Sequence, residues 1–281
     1  MKMFAFYVVA GAALLAQEQH SPAVRPAFEV VSIKLCQGRG ADRSASPGRL
    51  YLECRSLSDL IKLAYDTFAS GMIDPSNLGD PVIPLEGQPA WVDSDRYTID
   101  AKAVGRATQA MMRGPMMQAA LEERFHLRIH RATRTVPVFA LTVPPGGSKL
   151  RPTPEGSCAV VVDSDMVARE SNRDGKPLCG LVLTSSTADG GMIFDVHGMR
   201  LDAFCRYIRG LARPVINGTG LTGLFDIHLE LHRGEPVEDG SPTPPPTMAD
   251  IVNRQLGLRL EPASGPRDYL VIDHIERLSD N

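Results

Sequence analysis

The strongest constraint on this fold is an internal repeat. Met117 to Val143 reads MQAALEERFHLRIHRATRTVPVFALTV, and Met248 to Glu276 reads MADIVNRQLGLRLEPASGPRDYLVIDHIE. The two align without a gap at an offset of 131 residues, which places Met117 on Met248, Leu121 on Val252, Phe125 on Leu256, Leu127 on Leu258 and Ile129 on Leu260. Each copy reads as a helix, a sharp turn and a two-stranded hairpin. The Thr-Arg-Thr-Val-Pro and Pro-Ala-Ser-Gly-Pro stretches carry the residues of hairpin turns.

The segments before each copy match as well. Leu57, Leu60, Ile61 and Ala64 recur at the spacing of one apolar helical face, and Leu201, Phe204, Cys205 and Ile208 repeat it. Tyr97, Ile99 and Ala101 alternate as in a half-buried strand, and so do Phe225, Ile227, Leu229 and Leu231. Ser56 with Asp59 and Thr247 with Asp250 have capping-box spacing at helix starts. The chain therefore reads as an α+β protein of two tandem β-α-β-β-α-β-β modules related by internal duplication. The first spans 27–144 with an extra N-terminal strand, and the second spans 190–278. Residues 145–189 form a polar connector, and the proline-rich EDGSPTPPP insertion precedes the second module's last helix. Gly257 is the expected left-handed helix terminator, and His126 takes the same slot in the first copy.

At 281 residues the chain can build two cores. Thirty basic residues against 33 acidic ones leave no electrostatic footprint for nucleic acid. Lys2 followed by the apolar run Phe4–Ala16 reads as a secretory leader over 1–17, too short to span a bilayer comfortably. A bulky Leu14 at −3 keeps an uncleaved anchor as the alternative, and membrane contact is expected only through this segment. Five cysteines suit an oxidising compartment. Cys158 and Cys179 would clasp the connector. Cys36 and Cys54 are a second candidate pair, on condition that their strands are parallel or broken, because a simple hairpin would hold them apart. Each bridge is worth about 3 kcal/mol.

Catalytic signatures are sparse. His228, Glu230 and His232 lie on the polar face of one strand, where alternate side chains converge, and form the candidate polar cluster. Trp91 with Asp93 and Asp95 is a candidate carboxylate pair or a turn. Arg124, Arg128, Arg131 and Arg134 form a basic run suited to an anionic partner or to a plain exposed strand face. Asn217-Gly218-Thr219 is a sequon or a tight turn, and Ser279-Asp280-Asn281 matches a triplet of penicillin-interacting enzymes at the chain's last residues. No cofactor motif is found; no catalytic residue and no metal ligand is assigned.

Several segments together carry a resemblance: FEVVSIK, SLSDLIKLAY, W-x-DSDRYTIDAKA from Trp91, the LEERFHLRIHR block from Leu121, GTGLTG-x-FD from Gly218, and LGL-x-LEP with VIDHIE. They resemble a large family of exported proteins expanded in soil acidobacteria of the Solibacter type, whose domain also occurs fused to BlaR-like sensor peptidases. That likeness implies an extracytoplasmic sensing or binding role. The element order and the LGLRLEPASGPRDYLVI segment are similar to the short N-terminal domain of secretins and TonB-dependent receptors, which docks partner proteins. The expected function is a non-catalytic binding or interaction protein of the cell envelope, periplasmic or secreted, with an envelope protein or peptide as partner. An envelope hydrolase built on His228 and its neighbours, and an assembly module of an envelope machine, are the alternatives.

Overall fold

The structure is a computed structural model that describes residues 25–38, 40, 48–72, 83–160, 175–187, 190–208, 211–231 and 246–278. The leader, most of the proline-rich insertion, the closing Ser-Asp-Asn triplet and His232 lie outside the described residues.

The first half begins with β1 (Phe28–Cys36) and β2 (Arg49–Ser56), then α1 (Leu57–Lys62), which runs on as a π-helical turn over Leu63–Thr67. The Ser56 hydroxyl accepts the Asp59 N–H at 3.1 Å and starts this helix. There follow β3 (Leu85–Glu86), α2 (Trp91–Ser94), β4 (Arg96–Ala103), α3 (Gln109–Arg113), α4 (Pro115–Arg124) and β5 (Arg128–Thr142). The second half has β6 (Arg151–Pro152), β7 (Val182–Ser186), β8 (Met192–Met199), α5 (Leu201–Tyr207), β9 (Val215–Asn217) and β10 (Phe225–Leu231). It closes with α6 (Met248–Ile251), continued by a π-helical Val252–Leu256, and β11 (Arg259–His274). Among the described residues no helix is long and apolar enough to cross a membrane.

Three sheets result, ordered β1-β4-β2, β6-β10-β8-β7 and β3-β11-β5-β9. The fold is α+β. The expected terminal hairpins do not form. Each repeat instead ends in one long strand, and β5 and β11 pair antiparallel with each other from Arg259↔Thr142 to His274↔Arg128. The turn residues are absorbed by geometry. The Phe139 N–H donates outward to the Pro214 carbonyl, so the Phe139–Pro262 pair is one without mutual hydrogen bonds. Pro137 opposite Ser264 and Pro266 opposite Thr135 fall in the same alternate set. All three prolines thus turn their missing N–H away from the partner strand, where it costs the ladder nothing.

The long strands tie two cores together. The α1 stripe Leu57, Leu60, Ile61 and Ala64 packs with Met117 and Leu121 against Leu52, Tyr97 and Ile99. In the other half Leu201, Phe204, Cys205 and Ile208 pack with Val252 and Leu256 against Val196, Phe225, Ile227 and Leu229. β11 sends Leu270 and Ile272 into the first core, while β5 sends Leu141 into the second. At the helix-to-strand corners Leu127 and Leu258 are both buried, each worth about 1.5–3 kcal/mol of transfer energy. His126 (φ 48°) and Gly257 (φ 65°) both take the left-handed conformation that reverses the chain there. Between the halves, Arg206 of α5 reaches the buried Asp66 at 3.5 Å.

Two disulfides join Cys36 to Cys54 and Cys158 to Cys179, and Cys205 is a buried free thiol. β1 and β2 are both antiparallel to β4 and therefore parallel to each other. Cys54 sits where the β2–β4 register shifts, at φ 52°, and its Cα lies 5.7 Å from that of Cys36. Burial, and then Asp202, pushes the Cys205 thiol up to about 12, so it stays protonated and inert at neutral pH.

Candidate functional site

The alternation of FDIHLEL decides which side chains of β10 meet solvent. Phe225, Ile227 and Leu229 point into the core, which leaves Asp226, His228 and Glu230 on the outer face. β8 lies antiparallel beside it with Asp195 directly opposite His228. The imidazole is held at both nitrogens, by Asp195 Oδ1 at 2.6 Å from Nδ1 and by Glu230 Oε1 at 3.3 Å from Nε2. The bond to Asp195, then that to Glu230, raises the pKa of His228 above its ordinary value. Of the sequence-derived cluster, His228 and Glu230 are brought together.

A groove of about 750 Å³ opens beside this cluster, between β10 and the segment carrying Lys149 and Arg151. Its remaining carboxylate, Asp226, accepts the Thr153 hydroxyl at 2.7 Å and the Gly198 N–H at 3.1 Å, with His197 Nδ1 at 3.6 Å. Gln255, from the π-helical turn, closes one end. Its side-chain amide donates to the Glu230 carbonyl at 2.8 Å and accepts the Glu230 N–H at 2.9 Å, as a neighbouring strand would. The Lys149 N–H donates to the Leu256 carbonyl at 2.8 Å, and the Lys149 ammonium to the Arg254 carbonyl at 2.7 Å.

Among the described residues the groove lining has no serine, threonine, cysteine or tyrosine. A His228 bonded at both nitrogens to carboxylates is not a free base for a nucleophile. Among the described residues no group of three or more His, Cys, Asp or Glu is placed to hold a metal ion.

The other sequence candidates lie elsewhere. The Trp91 ring is covered by the Arg277 guanidinium at 5.3 Å, and Arg277 pairs with Asp95 at 3.2 Å, so this corner packs the C-terminal segment onto the first core. Neither Trp91 nor Asp93 lines the groove of His228. The basic run is largely neutralised. Arg134 pairs with Glu86 at 2.7 Å and lies over the Tyr269 ring, Arg131 meets Asp268 at 3.9 Å, and Arg124 meets Glu123 at 3.8 Å. Asn217 forms a tight turn, its side-chain oxygen accepting from the Thr219 N–H and hydroxyl, and its amide donating to Asp202.

Sequence reasoning placed Asp226 on the polar face with His228 but missed Asp195 and Gln255. The alternating MIFDV run carries Asp195 on its polar face, and pairing β8 with β10 would have found it. Gln255 had no local signal, because its role exists only where β10 lacks a neighbour.

A protein-family model matches residues 58–275, the span from α1 to the residue that follows β11. No curated protein and no solved structure matches the chain.

Proposed function

The chain belongs to the family described as Protein of unknown function (DUF3738), and from that premise we propose that it is an exported, non-catalytic binding protein of the cell envelope. The observation that carries this reading is the groove beside β10. It is large enough for a ligand, yet its imidazole at His228 is held by two carboxylates, and its described lining has no serine, threonine, cysteine or tyrosine. Two disulfides and the apolar run Phe4–Ala16 support export and an oxidising destination. The resemblances to exported acidobacterial proteins and to secretin-type docking domains point the same way.

The two halves are read as copies of one duplicated unit. Thr135 pairs with Pro266, its counterpart at the offset of 131, so a two-fold axis through that pair carries β5 onto β11. Phe139 and Leu270, also counterparts, take up the short parallel strands β9 and β3 through Val215 and Leu85.

The test is to express the chain with its own N-terminus in a diderm host and to measure the mature N-terminus, thiol state and bound species by native mass spectrometry. A processed, fully bridged protein retaining an envelope component is expected. A cytosolic protein with five reduced thiols would overturn export. Turnover of an envelope substrate that is lost in His228→Asn would favour the hydrolase instead, and stable recovery in one large membrane assembly would favour the assembly module.

A further inference from the structure

We propose that the open edge of β10 is a docking slot for an extended peptide of a partner protein, which adds to the sheet as a strand and places a carboxylate side chain beside Arg151. The inference rests on the binding reading above and assigns its partner class.

The two central strands β4 and β10 hold the same place in their sheets, each preceding the helix that leads into a long strand. β4 is covered on one edge by β1 from Phe28↔Ala103 to Cys36↔Arg96. Among the described residues the matching edge of β10 is paired with a strand only at Phe225↔Pro152 and Asp226↔Arg151. Beyond them the two-residue β6 turns away, because the Lys149 N–H that would continue the ladder is spent on Leu256.

The direction of the β10 backbone follows from its contacts. Leu224 accepts the Thr153 N–H, and Glu230 exchanges both of its backbone bonds with the Gln255 amide, so Leu224, Asp226, His228 and Glu230 all present N–H and C=O to this edge. His228 falls between the end of β6 and Gln255. Among the described residues no backbone group meets it on that side. The groove borders this gap with Lys149, Arg151 and Gln255 and reaches across β10 to Asp195 and His197 of β8. A peptide strand there gains a hydrogen-bonded pair at His228, and a second at Glu230 if it displaces the Gln255 amide, which is the chemistry of strand addition.

Charge selects the occupant. Asp195 and Glu230 are committed to His228, and Asp226 to Thr153, Gly198 and His197. The Arg151 guanidinium has no ion-pair or hydrogen-bond partner among the described residues, so the uncommitted charge at the slot is positive. A carboxylate on the peptide's solvent-facing side complements it.

The probe is a nine-residue peptide alternating threonine and valine with a central glutamate, compared with the same peptide carrying lysine, by fluorescence anisotropy on the full chain. Saturable binding of the glutamate peptide, at least tenfold tighter than the lysine peptide, is expected. His228→Pro removes the N–H that faces away from β8 together with the imidazole bonded to Asp195 and Glu230, so it should abolish binding and lower the melting temperature slightly while the transition stays cooperative. Should that variant fail to fold, Arg151→Glu carries the test by reversing the preference between the two peptides. Gln255→Ala, which uncovers Glu230, should tighten binding. Binding unchanged in Arg151→Glu and Gln255→Ala, or no binding of either peptide up to millimolar concentration, overturns the slot. If the chain nevertheless retains an envelope component in native mass spectrometry, the binding reading stands and the slot alone falls.

Discussion

The two helix-to-strand corners reach one geometry by different chemistry. His126 and Gly257 have nearly the same left-handed φ and are each followed by a buried leucine. At Gly257 an added Cβ would sit 2.9 Å from the Lys149 backbone nitrogen. At His126 the side chain is exposed, with Nε2 3.9 Å from Glu276. The second corner therefore needs glycine for space as well as for φ, because the Ser148–Lys149 segment passes over it. A segment meets the first corner too, the Glu276 N–H donating to the Phe125 carbonyl at 2.7 Å, yet it leaves the His126 side chain exposed, and the β-carbon there costs backbone strain. How closely the covering segment approaches the β-carbon position, as much as the turn itself, decides the residue.

That comparison can be broken in order of size. Leu127→Ala and Leu258→Ala should each cost about 2–5 kcal/mol in urea unfolding, because both side chains are buried beside a fixed corner. A loss at one and not the other would mean that only one corner is closely packed. Gly257→Ala should cost about 1–2 kcal/mol from its left-handed φ, with the Lys149 contact adding to this. His126→Gly, the converse change, should be neutral or gain up to about 1 kcal/mol, read as a rise in urea midpoint.

The smallest effect is a pH dependence confined to the second half. The folded-state pKa of His228 lies above the unfolded value of about 6.5, so its bonds to Asp195 and Glu230 stabilise fully below that value. The contribution is lost as pH rises through the raised folded pKa. Because His228 is half exposed, the expected change is a slight fall in melting temperature as pH rises above about 6.5 that disappears in His228→Asn.

Local patterning made much of the fold legible. The stripe from Leu57 to Ala64, the alternation of Tyr97, Ile99 and Ala101, and the caps at Ser56 and Thr247 each depend on near neighbours in sequence, and each appears in the structure. The hairpins misled because Pro137, Gly265 and Pro266 carry turn chemistry, whereas their tolerance in β5 and β11 depends on which edge faces the partner. That is a fact about pairing across the chain, which no local window contains. Arg151–Pro152 and Val182–Ser186 read as parts of a polar connector because an edge strand two or five residues long has little periodicity to display. Of the candidate site, His228 and Glu230 were visible as one strand's polar face, while Asp195, Gln255 and the gap beside β6 required the neighbouring strands.

The return of β11 to the first core has a consequence for synthesis. Leu270 and Ile272 complete a core whose other members lie mostly between Leu50 and Leu127, and Leu270 pairs with Leu85 on β3. The half made first therefore waits, with its apolar seam open, until nearly the whole chain has emerged. Its folding is gated by the last strand, and a nascent chain stalled before residue 270 presents that seam to chaperones and proteases.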